Sequence, residues 1–341
     1  MDNRGPYSYE SEGPGTAVAE QPLPYSADKK KPVLVTGAAG LVGIHTCREL
    51  TKSGWQVRAL IRDPARAAMA LGQLPVEFRV GDVRDATALR NSLGGCGAVV
   101  HLAAIAIEKK GQTYRETNTA ATERLISAAR AQNIRRIIFM SQNGADSRSP
   151  YPFLHSKGVA QDSVKTSGLA WTILRPSVIF GPEDQFVNVL ARLIRLTPKI
   201  FPMPGGGTAR FQPVAVDDVA RVVRLSLEKK DTVHQTYDLG GAVPLTLRQM
   251  TERILTAMGT TRRLVPVPVG VLRPVVAIVQ RVLPNPPVTS SLLDLLAVDN
   301  TIANNALTEK FKIVPVPFAG DELQYLRRIT AKSAFRSLFE G

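Results

Sequence analysis

Short apolar runs alternate with longer stretches of helical spacing from residue 32 onward. Six runs rich in Val, Ile and Leu have the composition of buried strands; they read PVLVTG, WQVRALIR, VEFRV, GAVVHLAA, RRIIFMS and AWTILRPS. Helical patterns lie between them, notably over 41–53, 114–131 and 156–167. Because strands that alternate with helices form parallel sheets through right-handed crossovers, the pattern predicts an α/β fold with a Rossmann-type doubly wound parallel sheet.

The alternation loosens in the C-terminal half of the chain. The sequence predicts an amphipathic helix over 183–196, a loop and strand over 202–214, and a further helix over 216–230. We expect these elements to build a smaller C-terminal α/β cap beside the sheet. The chain is therefore predicted to divide into a Rossmann domain over 31–181 and a cap, interleaved with it, over 182–341.

Residues 1–30 show no periodicity and are rich in Gly, Pro, Ser and acidic residues, which predicts a disordered tail. The tail is neither Arg-rich and acid-poor, as a mitochondrial presequence is, nor apolar in its middle, as a signal peptide is. The sequence therefore predicts a bacterial cytoplasmic protein. A peripheral position on the inner face of the cell membrane stays open as an alternative.

The net charge of the chain is +14, and the predicted tail contributes none of the positive excess. Such an excess predicts an acidic partner or surface, such as phospholipid, an acidic protein or a phosphorylated cofactor. No nucleic-acid-binding motif accompanies the charge, so nucleic acid is not expected as a partner. Two cysteines, Cys47 and Cys96, and four scattered histidines predict neither a disulfide framework nor a metal site.

The segment VTGAAGLVG places three glycines directly after the first strand and before the first helix. In such loops one glycine makes the tight turn, another admits a pyrophosphate and a third lets helix and strand pack closely, while the helix N-terminus faces the phosphates. The spacing is GxxGxxG rather than GxGxxG, but its strand–turn–helix context is complete. We predict a dinucleotide site that includes Gly37, Gly40, Leu41, Val42 and Gly43.

The second strand ends in LIRDPAR, which bears on the choice of dinucleotide. An acidic residue at this position holds the ribose 2′-hydroxyl, whereas arginine suits a 2′-phosphate. Arg62 lies at the tip with Arg58 and Arg66 nearby, and Asp63 follows as a residue that can still bind ribose. We therefore favour NADP(H) over NAD(H).

Later strand ends add weaker signals in the expected order. Asp82 and Val83, in GDVRD, follow the third strand, where the adenine edge is expected. Ala103 and Ala104, in HLAA, end the fourth strand, where small side chains allow the backbone to approach the cofactor. The order of these motifs along the chain strengthens the dinucleotide prediction.

Together with Asn118 in ETNTAATERL, YPFLHSKG at 151–158 and LRPSVIFGP at 174–182, these motifs resemble the extended and atypical short-chain dehydrogenase/reductase superfamily over residues 32–240. RPSVIFGPEDQFVN, PMPGGGTARFQPVAVDDVA and SLLDLLAVDN give a more specific resemblance to the NADPH-binding accessory subunit of respiratory complex I and its bacterial epimerase/dehydratase-like relatives. The superfamily resemblance implies that Pro176 to Val178 lies against the nicotinamide. The closer one implies a tightly bound cofactor, no established turnover, and a role in assembly and stability near the membrane.

The superfamily resemblance also implies a catalytic tyrosine four residues before a lysine, with an orienting serine. Lys157 is retained, but Phe153 stands at the tyrosine position, and a phenyl ring cannot exchange a proton. Ser141 or Gln142 occupies the region of the orienting serine. Tyr151 and His155 are two residues from the expected position, which on a helix points them to other faces.

These observations leave three functional hypotheses. We favour an NADP(H)-binding, non-catalytic accessory or assembly component of a membrane-associated NADH:quinone oxidoreductase. The alternative is an NADP-dependent reductase or epimerase/dehydratase with a rearranged acid, and the third is a redox sensor that distinguishes NADP⁺ from NADPH. The sequence names no substrate.

Two basic stretches without acidic residues, 186–216 and 253–293, are the predicted contacts with complex I subunits or an anionic membrane surface. The second contains VGVLRPVVAIVQRVLP, a predicted helix with Pro274 in its first turn and with Arg273, Gln280 and Arg281 on one stripe. This run is too short and too charged to span a membrane. It fits either an interfacial helix or a helix packed into the cap.

Overall fold

The computed structural model describes residues 28–109, 111–283, 286, 288–296 and 298–339. Most of the predicted tail, 1–27, lies outside the described residues. Residues 28–30 contact the folded body, because Lys29 Nζ donates to the carbonyl oxygen of Ser53 (3.1 Å) and pairs with Glu228 (3.1 Å).

The strands of the described chain, numbered in chain order, are β1 (Val33–Thr36), β2 (Val57–Ile61), β3 (Val76–Val80), β4 (Ala98–His101), β5 (Arg136–Met140), β6 (Ala170–Pro176), β7 (Ile179–Phe180), β8 (Ile200–Pro204), β9 (Arg210–Phe211), β10 (Val214–Ala215), β11 (Gln235–Leu239), β12 (Leu245–Thr246) and β13 (Arg263–Val267). The α-helices are α1 (Leu41–Lys52), α2 (Pro64–Leu71), α3 (Ala86–Leu93), α4 (Ala121–Ala131), α5 (Pro152–Lys165), α6 (Val187–Leu196), α7 (Val216–Glu228), α8 (Leu247–Ala257), α9 (Val269–Val282), α10 (Ser290–Leu295), α11 (Ala306–Glu309) and α12 (Ala331–Arg336). A π-helical turn over Arg115–Ala120 precedes α4, and a 3₁₀ segment over Gly320–Arg328 precedes α12.

A seven-stranded parallel sheet forms the centre of the molecule, in the order β3-β2-β1-β4-β5-β6-β11. This arrangement confirms the predicted fold class and all six predicted strands. Strands β2 and β3 lie on one side of β1, whereas β4 and the strands after it in the sheet lie on the other side. The direction in which strands are added therefore reverses between β1 and β4. Such a switch point opens a crevice at the carboxyl ends of the strands.

The central strands are apolar on both faces, because helices cover both sides of the sheet. In β1, for example, Val33 and Val35 face a layer that contains α1, α2 and α7, while Leu34 faces the layer of α3, α4 and α5. This double burial explains why the strands read as near-continuous apolar runs rather than as alternating ones.

The C-terminal part has its own core between α6, α8 and the segment before α12, beside the parallel pair β8 and β13. It does not form a separate block, however. Strand β11 completes the large sheet, α7 packs against α1, and α11 contributes Ala306 and Leu307 to the core beneath the sheet.

Several element boundaries differ from the predictions. The helix predicted from residue 183 begins at Val187, because the Asp184 carboxylate accepts from the N–H groups of Phe186 (2.9 Å) and Val187 (2.6 Å) and caps it. The prediction for Pro274 was wrong. This residue lies inside α9, which begins five residues earlier, after Pro268. No helix within the described ranges is long and apolar enough to cross a membrane.

Candidate functional site

The glycine turn after β1 contacts the end of β4 backbone to backbone. Gly37 has φ +68°, and a Cβ at this residue would lie 2.8 Å from the backbone nitrogen of Ala103. A Cβ on Gly43 would lie 2.2 Å from the carbonyl oxygen of Gly37. Both positions therefore require glycine, one for its conformation and its contact, the other for helix–turn packing. Ala104, the next residue of HLAA, is exposed beside the turn.

The first turn of α1 follows directly, with Gly40 in an extended conformation as its N-cap. The backbone N–H groups at Leu41 and Val42 begin the helix, where no intrahelical acceptor is available to them. No acidic side chain lies in this first turn. Together with the positive end of the helix dipole, these N–H groups form a suitable cradle for a pyrophosphate.

A buried histidine holds β4 beside β1. His101 Nδ1 lies 2.7 Å from Thr36 Oγ1, and Nε2 lies 3.0 Å from Thr122 Oγ1. Burial lowers the pKa of His101 to about 3, so the imidazole is neutral. The Thr36 hydroxyl also accepts from the N–H of Ala103 (3.3 Å). The sequence indicated the HLAA motif through its two small residues, Ala103 and Ala104, but not this supporting role of its histidine.

Arg62 is exposed just beyond β2, with its Nη1 3.9 Å from Asp82 Oδ2. Asp63 caps α2 by accepting from the N–H of Arg66 (3.0 Å), so its carboxylate is engaged. The expectation for Arg58 was wrong. Its side chain is buried and pairs with Glu77 of the neighbouring strand (2.7 Å), away from the strand tip.

Asp82 and Val83 lie at the end of β3, next to Arg62. Two nitrogens of Arg84 donate to the Asp82 carboxylate, Nε to Oδ1 (3.0 Å) and Nη2 to Oδ2 (2.9 Å). Burial acts to raise the pKa of Asp82, but the hydrogen bonds from Arg84 outweigh it and lower the pKa. Val83 packs into the core beneath. Asp82 is therefore an ionised, fixed carboxylate at this edge.

Phe153 and Lys157 lie on the same face of α5, one helical turn apart. Lys157 is buried, its Nζ donates to the carbonyl oxygen of Met140 (2.6 Å), and it lies 4.7 Å from the centre of the Phe139 ring. Burial lowers the pKa of Lys157 to about 7. The Phe153 ring packs 5.9 Å from that of Tyr114. The structure thus places an apolar ring where the resemblance implies a phenol.

Ser141 follows β5 directly after Met140, the residue that accepts from Lys157. Its Oγ is buried and has no hydrogen-bond partner among the described residues. Gln142 is half-buried. Tyr151 is half-buried as the N-cap of α5, and His155 is exposed. Ser141 is therefore the residue directly after the carbonyl group that Lys157 contacts.

Asn118, in the π-helical turn, links the loop after β4 to α5. Its Oδ1 accepts from the N–H of Ile105 (2.8 Å), and its Nδ2 donates to Ser156 Oγ (3.0 Å). Such π-turns are frequent at functional sites. The sequence indicated Asn118 through the family motif, without this role.

The loops after β5 and β6 are held by a segment of the cap. Ser177 Oγ donates to the carbonyl oxygen of Asn300 (2.6 Å), and Asn143 Nδ2 donates to Asn300 Oδ1 (2.8 Å). Pro176 accepts from the N–H of Asn143 (2.9 Å), and Val178 accepts from the N–H of Val214 (2.9 Å). Pro176 and Val178 therefore lie at the same sheet edge as the glycine turn. Their contact with a nicotinamide stays a prediction.

The crevice at the switch point, with its glycine turn and helix N-terminus, defines a Rossmann-type dinucleotide-binding protein. The model of the NAD(P)H-binding family matches residues 37–229, more than half of the chain. The chain belongs to this family. Its resemblance to atypical short-chain dehydrogenases/reductases is confirmed.

Two relatives and one solved structure show the range of similar proteins. The chain is 28% identical to the mitochondrial NADH dehydrogenase (ubiquinone) 1 alpha subcomplex subunit 9 of Arabidopsis thaliana, over 86% of this chain and 76% of that protein. It is 27% identical to the 2-alkyl-3-oxoalkanoate reductase of Stenotrophomonas maltophilia, over 89% and 99% of the two chains. A dTDP-glucose 4,6-dehydratase from Streptomyces venezuelae, solved with NAD bound, is 25% identical with a TM-score of 0.59, over 70% and 84%.

Proposed function

We propose that this protein binds NADP(H) without turning it over and serves as an accessory or assembly component of a membrane-associated NADH:quinone oxidoreductase. One observation carries the proposal. Phe153 lies one helical turn from Lys157, so the position from which a phenol would exchange a proton holds a phenyl ring. The glycine turn remains shaped for the phosphates, whereas the position of the acid is apolar.

The similarity to a named NADH dehydrogenase subunit over 86% of this chain supports the respiratory part of the proposal. The test is native size fractionation of gently solubilised host membranes, with antibody detection of this chain. Co-migration with a large NADH:quinone oxidoreductase is the expected result. Recovery of the chain only as a free protein in the soluble fraction would contradict this role.

The residues of the cleft fit a dinucleotide, because a tight turn that requires glycine at Gly37 leads directly into the N-terminal turn of α1, whose N–H groups can face a phosphate. When bound, the cofactor would supply a nicotinamide able to exchange a hydride. The glycine turn and the first turn of α1 would hold the pyrophosphate, Asp82 and Val83 would border the adenine, and Lys157 would donate to the ribose of the nicotinamide. Arg62 would bind a 2′-phosphate, and the engagement of Asp63 as a helix cap supports NADP(H) over NAD(H).

Arg62→Asp tests the cofactor preference. We expect the affinity for NADPH to fall at least tenfold while that for NADH changes little, because only the 2′-phosphate loses a partner. The measurement is calorimetric titration with both cofactors. Arg130→Asp, an equal charge change at an exposed residue of α4, is the matched control. Equal losses for NADPH and NADH would show that Arg62 does not read the 2′-phosphate.

A second candidate function is that of a reductase or epimerase/dehydratase with a rearranged active site. The buried hydroxyl of Ser141, the residue after the Met140 carbonyl that Lys157 contacts, favours it, as does the similarity to a named reductase. This function predicts NADPH-dependent turnover of a carbonyl substrate or a sugar nucleotide that Lys157→Ala or Tyr151→Phe abolishes. Absence of turnover across quinones, sugar nucleotides and small carbonyl compounds would reject it.

A further inference from the structure

The surface of the cap contains a shallow, open cavity lined by three arginines from three separate segments. Arg195 comes from α6, Arg262 from the loop before β13, and Arg327 from the end of the 3₁₀ segment; the cavity has a volume of about 380 Å³. Ile329, Thr330 and Ala331 complete its lining. No acidic residue is among these lining residues. The fold thus brings together one arginine from each of the two basic stretches, 186–216 and 253–293, and Arg327, which the sequence analysis did not indicate.

The three guanidinium groups are fixed by backbone acceptors near the ends of α6 and α8 and before α12. Their hydrogen bonds run from Arg195 Nε to Ile329 (2.8 Å), Arg195 Nη2 to Met258 (3.2 Å), Arg262 Nε to Thr197 (2.5 Å), Arg262 Nη1 to Thr261 (2.7 Å) and Arg327 Nε to Ala257 (3.1 Å). These contacts orient the side chains without neutralising their charges. The cluster is therefore held in place before any ligand arrives.

Each guanidinium has five N–H donors, and these contacts use only one or two nitrogens of each group. Arg195 keeps Nη1, Arg262 keeps Nη2, and Arg327 keeps both Nη groups without an acceptor among the described residues. None of the three forms an ion pair with a carboxylate in the described part of the chain. Three like charges around one cavity repel each other, so an anion within it would relieve the repulsion and use the remaining donors.

Helix capping explains each arginine separately, because carbonyl groups at helix C-termini accept from such side chains. Capping alone does not require the three side chains to converge on one cavity. Nor does it require a second cavity, of about 270 Å³, that shares Ile329 and adds Arg192 and Arg328. Five arginines thus border two adjoining cavities, and no carboxylate is among the residues that line them.

Two exposed aromatic rings belong to the chain segment that also contributes residues to the second cavity. Phe335 in α12 and Phe339 just after it are 60% and 54% exposed, and their ring centres are 5.4 Å apart. The second cavity is lined by Ser333 and Ser337 from the same segment. Exposed aromatic rings next to cationic side chains are typical of surfaces that contact lipid headgroups.

We propose that the Arg195–Arg262–Arg327 cavity binds a phosphate group, and that the exposed aromatic pair favours a phospholipid headgroup as its source. The planar guanidinium fork matches the oxygen atoms of phosphate. The site rests on the proposed function, for which it would provide the contact with the membrane. It lies outside the cofactor crevice. Its residues differ from those that decide cofactor binding, so the two proposals can fail separately.

The test compares the full chain with Arg262→Gln/Arg327→Gln. Binding is measured by co-sedimentation with phosphatidylcholine vesicles that contain or lack phosphatidylglycerol, and inorganic phosphate is tested as a competitor and by its effect on Tm. We expect wild type to bind the anionic vesicles, phosphate to compete, and the double variant to bind at least tenfold more weakly. Arg130→Gln/Arg135→Gln, which removes the same charge from exposed residues of the Rossmann part, should lose less than threefold.

Equal losses in the two double variants would show only general charge attraction and would overturn the site. A phosphate-dependent rise in Tm that the Arg262/Arg327 variant lacks, without vesicle binding, would keep the phosphate site and reject the lipid source. Absence of both effects in wild type would reject the proposal. Arg327→Lys, which keeps the charge but not the fork, provides a milder variant if the double variant unfolds. The affinity of each variant for NADPH is expected to be unchanged. If the protein does not co-migrate with a respiratory complex, the proposed function fails, but vesicle binding would still support the phosphate site.

Discussion

Lys157 is a buried amine whose charge depends on its immediate surroundings. Its ammonium donates to the Met140 carbonyl and faces the Phe139 ring, while Phe153 provides no hydroxyl partner. Burial disfavours the charged form and lowers the pKa to about 7. At neutral pH the side chain is therefore divided between its two protonation states, which is costly for folding.

This cost predicts a pH-dependent stability. The unfolded chain binds the proton up to about pH 10.5, whereas the folded chain releases it near pH 7. Between these values the unfolded state holds more protons, so stability rises with pH, by about 5 kcal/mol in total. The free energy of unfolding of wild type and of Lys157→Met is measured by urea denaturation at several pH values. The value for wild type should rise relative to that for the variant between pH 7 and pH 10. A constant difference would mean that the lysine is not desolvated.

Gly37→Ala should disrupt both folding and cofactor binding. The added Cβ meets the Ala103 backbone at 2.8 Å and forces a left-handed φ on alanine, so we expect a loss of about 2–4 kcal/mol in the free energy of unfolding. Gly270→Ala in α9 is the control, since its Cβ meets nothing within 4 Å and alanine favours helix. Chemical denaturation and NADPH titration measure both effects. Unchanged NADPH binding by Gly37→Ala would place the cofactor elsewhere.

At the scale of elements, His45 connects α1, α7 and the loop after β7. Its Nδ1 lies 2.6 Å from Asp217 Oδ1, and its Nε2 lies 3.1 Å from Glu183 Oε2. Burial acts to lower the pKa of His45, but the two carboxylates raise it overall. The pKa of Asp217 is lowered by the same contact. One histidine side chain thus connects three segments around the first helix of the site.

His45→Gln should reveal this contact through its pH dependence. The folded-state pKa lies above 6.5, so the stabilisation is fully present below that pH and is lost as the pH rises through the folded-state value. Because the side chains of Asp217 and Glu183 are 66% and 42% exposed, solvent limits the effect to about 1 kcal/mol. The difference in unfolding free energy between wild type and variant should be larger at pH 6 than at pH 9. An equal difference at both values would indicate a packing effect only.

Sequence reasoning located the sheet because strands buried on both faces have an unmistakable apolar pattern. It could not place Arg58, because the pairing of Arg58 with Glu77 depends on the register of β2 and β3, which forms only in three dimensions. It predicted the helix around Lys157 only from residue 156, whereas α5 begins at Pro152 and so includes Phe153. Asn300 bonds Ser177 and Asn143, which precede it by 123 and 157 positions in the sequence. No local sequence pattern indicates contacts over such separations.

At the scale of the whole molecule, the C-terminal region is part of the Rossmann core. Ala306, Leu307 and Phe311 lie in the same buried cluster as Trp55 and as Val33 and Val35 of β1. The side-chain amide of Asn305 also bonds the backbone of Gly240 after β11: its Oδ1 accepts from the Gly240 N–H and its Nδ2 donates to the Gly240 carbonyl oxygen. The two predicted regions should therefore unfold together.

Leu307→Ala tests this coupling. Leu307 is fully buried, so its truncation should lower the free energy of unfolding by about 2–5 kcal/mol. Both tryptophans, Trp55 and Trp171, lie in the Rossmann part, and their fluorescence should report the shift in full. Val314→Ala, at an exposed residue, should change stability by less than about 0.5 kcal/mol. A fluorescence transition unaffected by Leu307→Ala would show that the regions unfold independently.

The hydrogen bonds between Asn300 and the loops after β5 and β6 also determine when these loops can become fixed during synthesis. Those loops leave the ribosome more than a hundred residues before Asn300 does. At ribosomal rates of about 5–20 residues per second, the crevice stays incomplete for several seconds in every new chain. A nascent chain can acquire its glycine turn early, but it completes this edge of the crevice only after Asn300 has been synthesised.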